Sequence, residues 1–86
     1  MILKVTNAVY KGGYRVFLTF NNGDEILVDL KNTILNDHRK IFRPLLDVNY
    51  FQNFEIKLNT IIWANEANFA PEFLLELGQK QAERVA

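Results

Sequence analysis

Hydrophobic and polar residues alternate along the first third of the chain in three runs, at residues 2–10, 14–20 and 25–30. A period of two is typical of strands that bury one face. The glycine pair at residues 12–13 tolerates the positive φ angles of a tight turn, and residues 21–24, Asn-Asn-Gly-Asp, are typical of a hairpin turn. The sequence therefore predicts an antiparallel meander of three strands.

Two details of these runs concern the faces of the predicted sheet. Strict alternation places Leu3, Val5 and Val9 on one face of the first strand. In the third run Leu27 interrupts the alternation, which indicates that the second face of the sheet is also partly covered.

The pattern changes after residue 31, where strand periodicity gives way to short helical signals. Residues 33–35 predict a single helical turn, and either Asn36 or Asp37 is a suitable cap for a second short helix that runs through residue 42. Pro44 disfavours helical geometry at the residue before it, so we expect this second helix to end there.

A third short helix and a second hairpin follow. Asp47 is a good N-cap for a helix that runs through residue 51. Residues 54–58 and 60–64 are rich in apolar residues and predict two short strands joined at Asn59, which tolerates a left-handed conformation.

The last element predicted is a helix that begins near Pro71, whose fixed φ suits a first helical turn. Phe73, Leu74 and Leu77 recur at helical spacing and so share one face of this helix. We expect that face to lie against the sheet that carries Trp63.

Two endings of this helix remain open: Gly78 ends it, or the polar residues 79–86 continue it as a frayed tail. In either case we expect one α+β domain over residues 1–86. Its small antiparallel sheet is a three-stranded meander plus a short hairpin, packed with two or three short helices.

Composition favours a soluble protein with a surface for binding. Apolar residues make up 49% of only 86 residues, which leaves apolar surface outside the core and favours a homodimer or a protein partner. Ten basic and ten acidic residues cancel, so no overall field attracts nucleic acid or a membrane.

The chain has no cysteine, no signal-peptide pattern and no apolar run long enough to span a bilayer, so we expect a cytoplasmic protein.

The residues that enzymes use for catalysis are scarce. The chain has one histidine, His38, and neither cysteine nor serine, and no carboxylate pair accompanies the histidine at metal-ligand spacing. We therefore expect no enzymatic activity, no metal, no cofactor and no small-molecule ligand. An enzyme would need a pocket with polar groups that converge around His38 or Asp47.

Two segments could meet a partner. Basic residues exceed acidic ones in residues 31–43, which suits nucleic acid, although ordinary surface charge is the simpler interpretation. The polar loop after Trp63 either contacts a partner or only joins strand to helix, and Trp63 itself is more typical of a core than of a stacking platform. The candidate interaction surface consists of Asn65, Glu66, Asn68, Lys31, Arg39, Lys40 and Arg43.

Four short motifs follow one another along the chain. They are F-x-P-L-x-D from Phe42, an aromatic pair at residues 50–51, T-I-x-W-x-N from Thr60 and P-E-x-L from Pro71. Together they resemble the small bacterial family called domain of unknown function 2442, over nearly the whole chain. The resemblance implies an α+β domain with a small antiparallel sheet and packed helices.

The chain departs from the family at two loop positions. The family usually has Gly where this chain has Glu66, and Asp where it has Asn68. We expect the loop geometry to differ, because a left-handed conformation is less favourable for Glu than for Gly.

The resemblance implies no chemical activity. Some similar proteins carry a C-terminal helix-turn-helix domain, and some are encoded beside another small protein in the manner of a toxin–antitoxin pair. The leading hypothesis is thus a non-enzymatic protein-binding or regulatory module of antitoxin-like type. The alternative is a nucleic-acid-binding accessory domain that uses the basic segment 31–43.

Overall fold

The structure, a computed structural model, describes residues 2–83 and confirms the α+β class. The elements are β1 (Val5–Tyr10), β2 (Arg15–Phe20), β3 (Glu25–Asp29), α1 (Lys31–Leu35), a 3₁₀ segment (Lys40–Leu46), α2 (Val48–Phe51), β4 (Glu55–Lys57), β5 (Thr60–Ile62) and α3 (Pro71–Glu83). None of the helices in this part of the chain is long and apolar enough to cross a membrane.

The first three strands form the predicted antiparallel meander, in the order β1-β2-β3. Gly12, Gly13 and Gly23 take positive φ angles of 95°, 57° and 91° in the two turns, as the turn sequences predicted. Side chains on the inner face of the meander are buried, and this face forms one wall of the core: Val16, Leu18, Phe20, Val28 and Leu30.

The predicted face of β1 is wrong because the strand contains a bulge. The pairing register with β2 shifts between Val5 and Asn7. An extra residue at a bulge reverses which face the later side chains occupy. Val5 is therefore buried, whereas Val9 lies on the outer face with 42% of its surface exposed.

β4 and β5 form the second, two-stranded sheet that the sequence predicted. Leu58 and Asn59 at its turn both take positive φ angles, of 53° and 69°. The backbone oxygen of Asn59 accepts a hydrogen bond from the Val5 N–H at 2.8 Å, which docks this hairpin beside the start of β1.

The segment between the two sheets differs from the prediction around Pro44. That proline lies inside the 3₁₀ segment rather than after a helix, and neither Asn36 nor Asp37 caps the segment. Tighter turns between residues three apart accommodate the proline where an α-helix would not. The prediction for α2 is confirmed: the Asp47 carboxylate accepts a hydrogen bond from the Asn49 N–H at 2.9 Å.

α3 begins at Pro71 as predicted, but its expected packing surface is wrong. The helix packs on β3 of the meander, not on the hairpin that leads to Trp63. Leu74 and Gly78 are buried there, and 42% of Phe73 is exposed. A Cβ built on Gly78 would lie 2.9 Å from Cγ2 of Ile26. The missing side chain thus allows the helix to approach the sheet closely.

The helix continues past Gly78 to Glu83, so the glycine does not end it; residues 84–86 of the predicted tail lie outside the described residues. The Gln81 side chain binds the outer edge of β3: its Oε1 accepts from the Asp29 N–H at 2.9 Å, and its Nε2 donates to the Asp29 oxygen at 2.8 Å. These two bonds imitate those of a paired strand.

Trp63 lies in the core, as the sequence favoured, with 2% of its surface exposed. Its indole N–H donates to the backbone oxygen of Phe51 at 2.8 Å. The rings of Phe51, Phe54 and Phe69 surround it at centroid distances of 5.5, 6.2 and 6.0 Å. The indole therefore joins α2, the second hairpin and the approach to α3.

Candidate functional site

The polar loop after Trp63 is held by its own hydrogen bonds. The Asn65 side chain donates to the Ile41 oxygen at 2.8 Å and accepts from the Ala67 N–H at 3.1 Å, while its backbone N–H donates to the Tyr50 hydroxyl at 3.1 Å. All three of these hydrogen bonds are made within the protein. The residue connects the loop to the 3₁₀ segment.

Glu66 and Asn68 lie at the exposed side of the same loop. Glu66 takes a φ of 71°, the left-handed conformation that glycine adopts most easily. The Asn68 side chain donates to the Glu66 oxygen at 2.9 Å, and Asn68 forms an isolated antiparallel bridge with Ile62. These contacts thus hold the loop around a backbone conformation that is unfavourable for glutamate.

In the predicted basic segment, Arg39 is already engaged by its neighbours. Its guanidinium forms two hydrogen bonds with the Asp37 carboxylate, at 3.0 and 2.7 Å, and lies 4.7 Å from the ring centre of Phe42. The hydrogen bonds from Arg39 lower the pKa of Asp37 to about 2. Lys40 and Arg43 extend from the exposed side of the same 3₁₀ segment.

Lys31 is separate from Lys40 and Arg43 along the chain and lies beside residues that the sequence analysis did not select. A groove of about 490 Å³ is lined by Lys31, Arg15, Leu27 and Asp29, among others. The Arg15 guanidinium turns back to the Lys11 oxygen at 3.1 Å. The fold therefore gathers three basic residues that are up to twenty positions apart at one end of the meander.

The outer face of the meander carries an apolar row that the sequence analysis also missed. Val9 pairs with Phe17 across β1 and β2, and Phe17 pairs with Leu27 across β2 and β3. Val9 and Leu27 expose 42% and 43% of their surface. The sequence signals for this row were the irregular position of Leu27 and the apolar Phe17 on the face of Arg15 and Thr19, and the β1 bulge concealed the position of Val9.

The two residues considered for an enzymatic pocket lie apart from the grooves. His38 is exposed between α1 and the 3₁₀ segment, and Asp47 caps α2. The second groove, of about 680 Å³, lies beside the β4–β5 hairpin and is lined by residues such as Glu55, Leu58 and Glu66. Residues 2–83 hold no cluster of three or more side chains able to ligate a metal.

Comparison with known proteins identifies the family of this chain and a solved structure with a similar fold. No curated protein matches the chain. The crystal structure of a "putative DNA binding protein" from Nitrosomonas europaea is similar, with a TM-score of 0.80 and 19% identity over 96% of this chain. The chain spans 53% of that protein's length, and at this identity the likeness concerns the fold. A family model described as "Protein of unknown function (DUF2442)" matches residues 5–80, and the chain therefore belongs to this family.

Proposed function

We propose that this domain is a non-enzymatic, cytoplasmic protein-binding module and that it binds through the outer face of the meander. The observation that carries the proposal is the row of Val9, Phe17 and Leu27, which lie side by side across three strands. Contiguous apolar side chains on a protein surface are typical of sites that another protein covers.

The arrangement of residues on this face supports binding to a folded surface. Apolar residues occupy its middle row, and Arg15, Asp29 and Glu25 border that row with charge. An apolar centre with a polar rim is the usual arrangement of a protein interface. A sheet face also offers a rigid surface, so little conformational entropy is lost on binding.

Affinity capture from a cell lysate tests the proposal. The tagged protein and its Leu27→Lys variant serve as baits, and the retained proteins are identified by mass spectrometry. We expect a partner retained by the unchanged protein and lost with Leu27→Lys, because a lysine in the apolar row would have to be desolvated.

Ile56→Lys is the matched control, because Ile56 lies on a strand of the other sheet and exposes 41% of its surface, against 43% for Leu27. It should retain the partner. Equal capture by all three baits would refute the outer face as the binding site.

The resemblance to antitoxin-like proteins suggests which partner to test first. We propose that the product of a neighbouring gene binds this domain and is restrained by it. Co-expression should then relieve the growth arrest that the neighbour causes alone. A neighbour that is harmless when expressed alone would remove this antitoxin-like role.

The alternative function is nucleic-acid binding, and one observation favours it. Lys31 shares the end of the meander with Arg15 and Lys11, so the basic surface is larger than the segment 31–43 alone. The name of the similar Nitrosomonas protein points in the same direction. Three phosphate contacts would make log K fall with log salt at a slope of roughly −2 to −3.

Fluorescence anisotropy with labelled duplex DNA or RNA at several salt concentrations tests this alternative. Binding that weakens with that slope, and that Lys31→Ala and Arg15→Ala reduce, would support it. Absence of binding at low salt would eliminate it.

A further inference from the structure

We propose that the partner of the outer face is a second copy of this chain, related by a two-fold axis that runs along β2. The inference rests on the proposed function, because it uses the same face. It adds the identity of the occupant and the register in which the two faces meet.

The pairing register divides the outer face into three rows that cross the strands. The middle row is Val9, Phe17 and Leu27. One flanking row is Lys11, Arg15 and Asp29, since the Lys11 N–H donates to the Arg15 oxygen at 3.0 Å and Arg15 pairs with Asp29. The other flanking row is Asn7, Thr19 and Glu25.

A two-fold axis that runs parallel to β2, midway between the two sheets, places each row of one copy opposite the same row of the other. It also places β1 of each copy opposite β3 of the other. Phe17 then meets Phe17 of the second copy on the axis. Val9 meets Leu27 on both sides of it, so the apolar rows coincide. Sheets that pack face to face with aligned strands do so at about 10 Å, which suits side chains of this size.

The same rotation creates two opposite-charge pairs. Lys11 of each copy lies opposite Asp29 of the other. Within one copy β2 separates these two residues, and the salt bridges found among the described residues join other pairs. The opposite charges of Lys11 and Asp29 can therefore pair between copies.

The other symmetric arrangement is less favourable. A two-fold axis along the apolar row would keep β3 opposite β3 and would set Asp29 against Glu25 of the second copy. Like charges that face each other in an interface are destabilising. In the arrangement along β2, Arg15 is the one charged residue of the three rows that meets its own copy, and its guanidinium is already turned to the Lys11 oxygen.

The size of the face sets the strength of the association. Three strands of about five residues cover roughly 14 by 17 Å, well below the ~800 Å² that each partner buries in a standard interface. We therefore expect a weak dimer that forms at high micromolar concentration.

Sedimentation equilibrium of the full chain from 10 µM to 1 mM, in the absence of any other protein, tests the proposal. The weight-average mass should rise from one copy toward two copies across this range. Leu27→Lys should remain monomeric throughout, and the control Ile56→Lys should associate as the unchanged protein does. Circular dichroism of each variant establishes that it is folded.

A charge exchange tests the register. Lys11→Glu should weaken the association at least tenfold, because it sets two negative charges against each other, and the added Asp29→Lys should restore it. Rescue by the double variant supports the β2 axis, and failure of rescue in a folded variant overturns it.

A monomeric mass at every concentration overturns the proposal of a second copy. If Leu27→Lys still abolishes capture of a different protein from the lysate, the outer face is a binding site for that protein, and the proposed function stands while this inference falls. If neither association nor capture depends on Leu27, both fall.

Discussion

Replacing Gly78 by alanine tests whether close helix–sheet packing, and not helix propensity, decides the stability at this position. A new Cβ would lie 2.9 and 3.0 Å from Cγ2 and Cγ1 of Ile26, and 3.0 Å from Cγ2 of Val28. Such contacts require the helix or the sheet to shift, and overpacking of this kind costs about 1–3 kcal/mol. Alanine gains about 1 kcal/mol over glycine in a helix interior. We expect packing to win, with a net loss of about 1 kcal/mol.

Urea unfolding followed by circular dichroism measures this difference, and thermal unfolding should show a decrease in Tm of about 4–8 °C. Gln79→Ala is the control, since it changes an exposed neighbour in the same helix and should alter stability by less than about 0.5 kcal/mol. In an Ile26→Ala background two of the three close contacts disappear, so Gly78→Ala should become neutral or stabilising. A stabilising effect of Gly78→Ala in the unchanged protein would refute the packing argument.

Three further predictions concern the core, the loop and the acid response. Trp63→Ala should reduce the free energy of unfolding by about 3–5 kcal/mol, measured by circular dichroism, because it leaves a large cavity. Glu66→Gly should raise that free energy by about 0.5 kcal/mol, since glycine adopts a φ of 71° without strain. In an NMR titration Arg39→Ala should return the pKa of Asp37 from about 2 toward its ordinary 3.8. Because folding lowers this pKa, the stabilising contribution of Asp37 is present above pH 4 and is lost as the pH falls toward 2.

Each of these outcomes has a clear opposite. Unchanged melting of Trp63→Ala would mean that the indole is not part of the core. A destabilising Glu66→Gly would mean that the glutamate side chain contributes more than its backbone conformation costs. An unchanged pKa of Asp37 after Arg39→Ala would mean that another group holds the carboxylate ionised.

Local rules were sufficient for most of the fold. Period-two alternation and the glycine turns predict the meander, Asp47 predicts the start of α2, and Pro71 predicts the start of α3. These features depend on a few adjacent residues. The prediction failed at Pro44, which the tighter turns of a 3₁₀ segment accommodate, and for the surface on which α3 packs, which is β3. The second failure concerns long-range contacts: the sheet that Gly78 faces lies too close to this helix position for a side chain.

The candidate site was harder to predict from the sequence. Val9 and Phe17 are eight positions apart along the chain, Phe17 and Leu27 are ten apart, and only the pairing register makes them neighbours. Asn65 shows the reverse, because a polar loop residue that suggested contact with a partner is used inside the protein. Hydrophobic periodicity reports how much of a strand is buried, but not which strands align.

The two hydrogen bonds from Gln81 to Asp29 also bear on edge-to-edge association of this sheet. β3 is the last strand of its sheet, and unpaired strand edges are templates on which further chains can grow. An incoming strand would find the peptide groups of Asp29 already occupied and could extend no further than Leu27. We therefore expect fraying of the final turn of α3 to expose these peptide groups and to favour fibre growth.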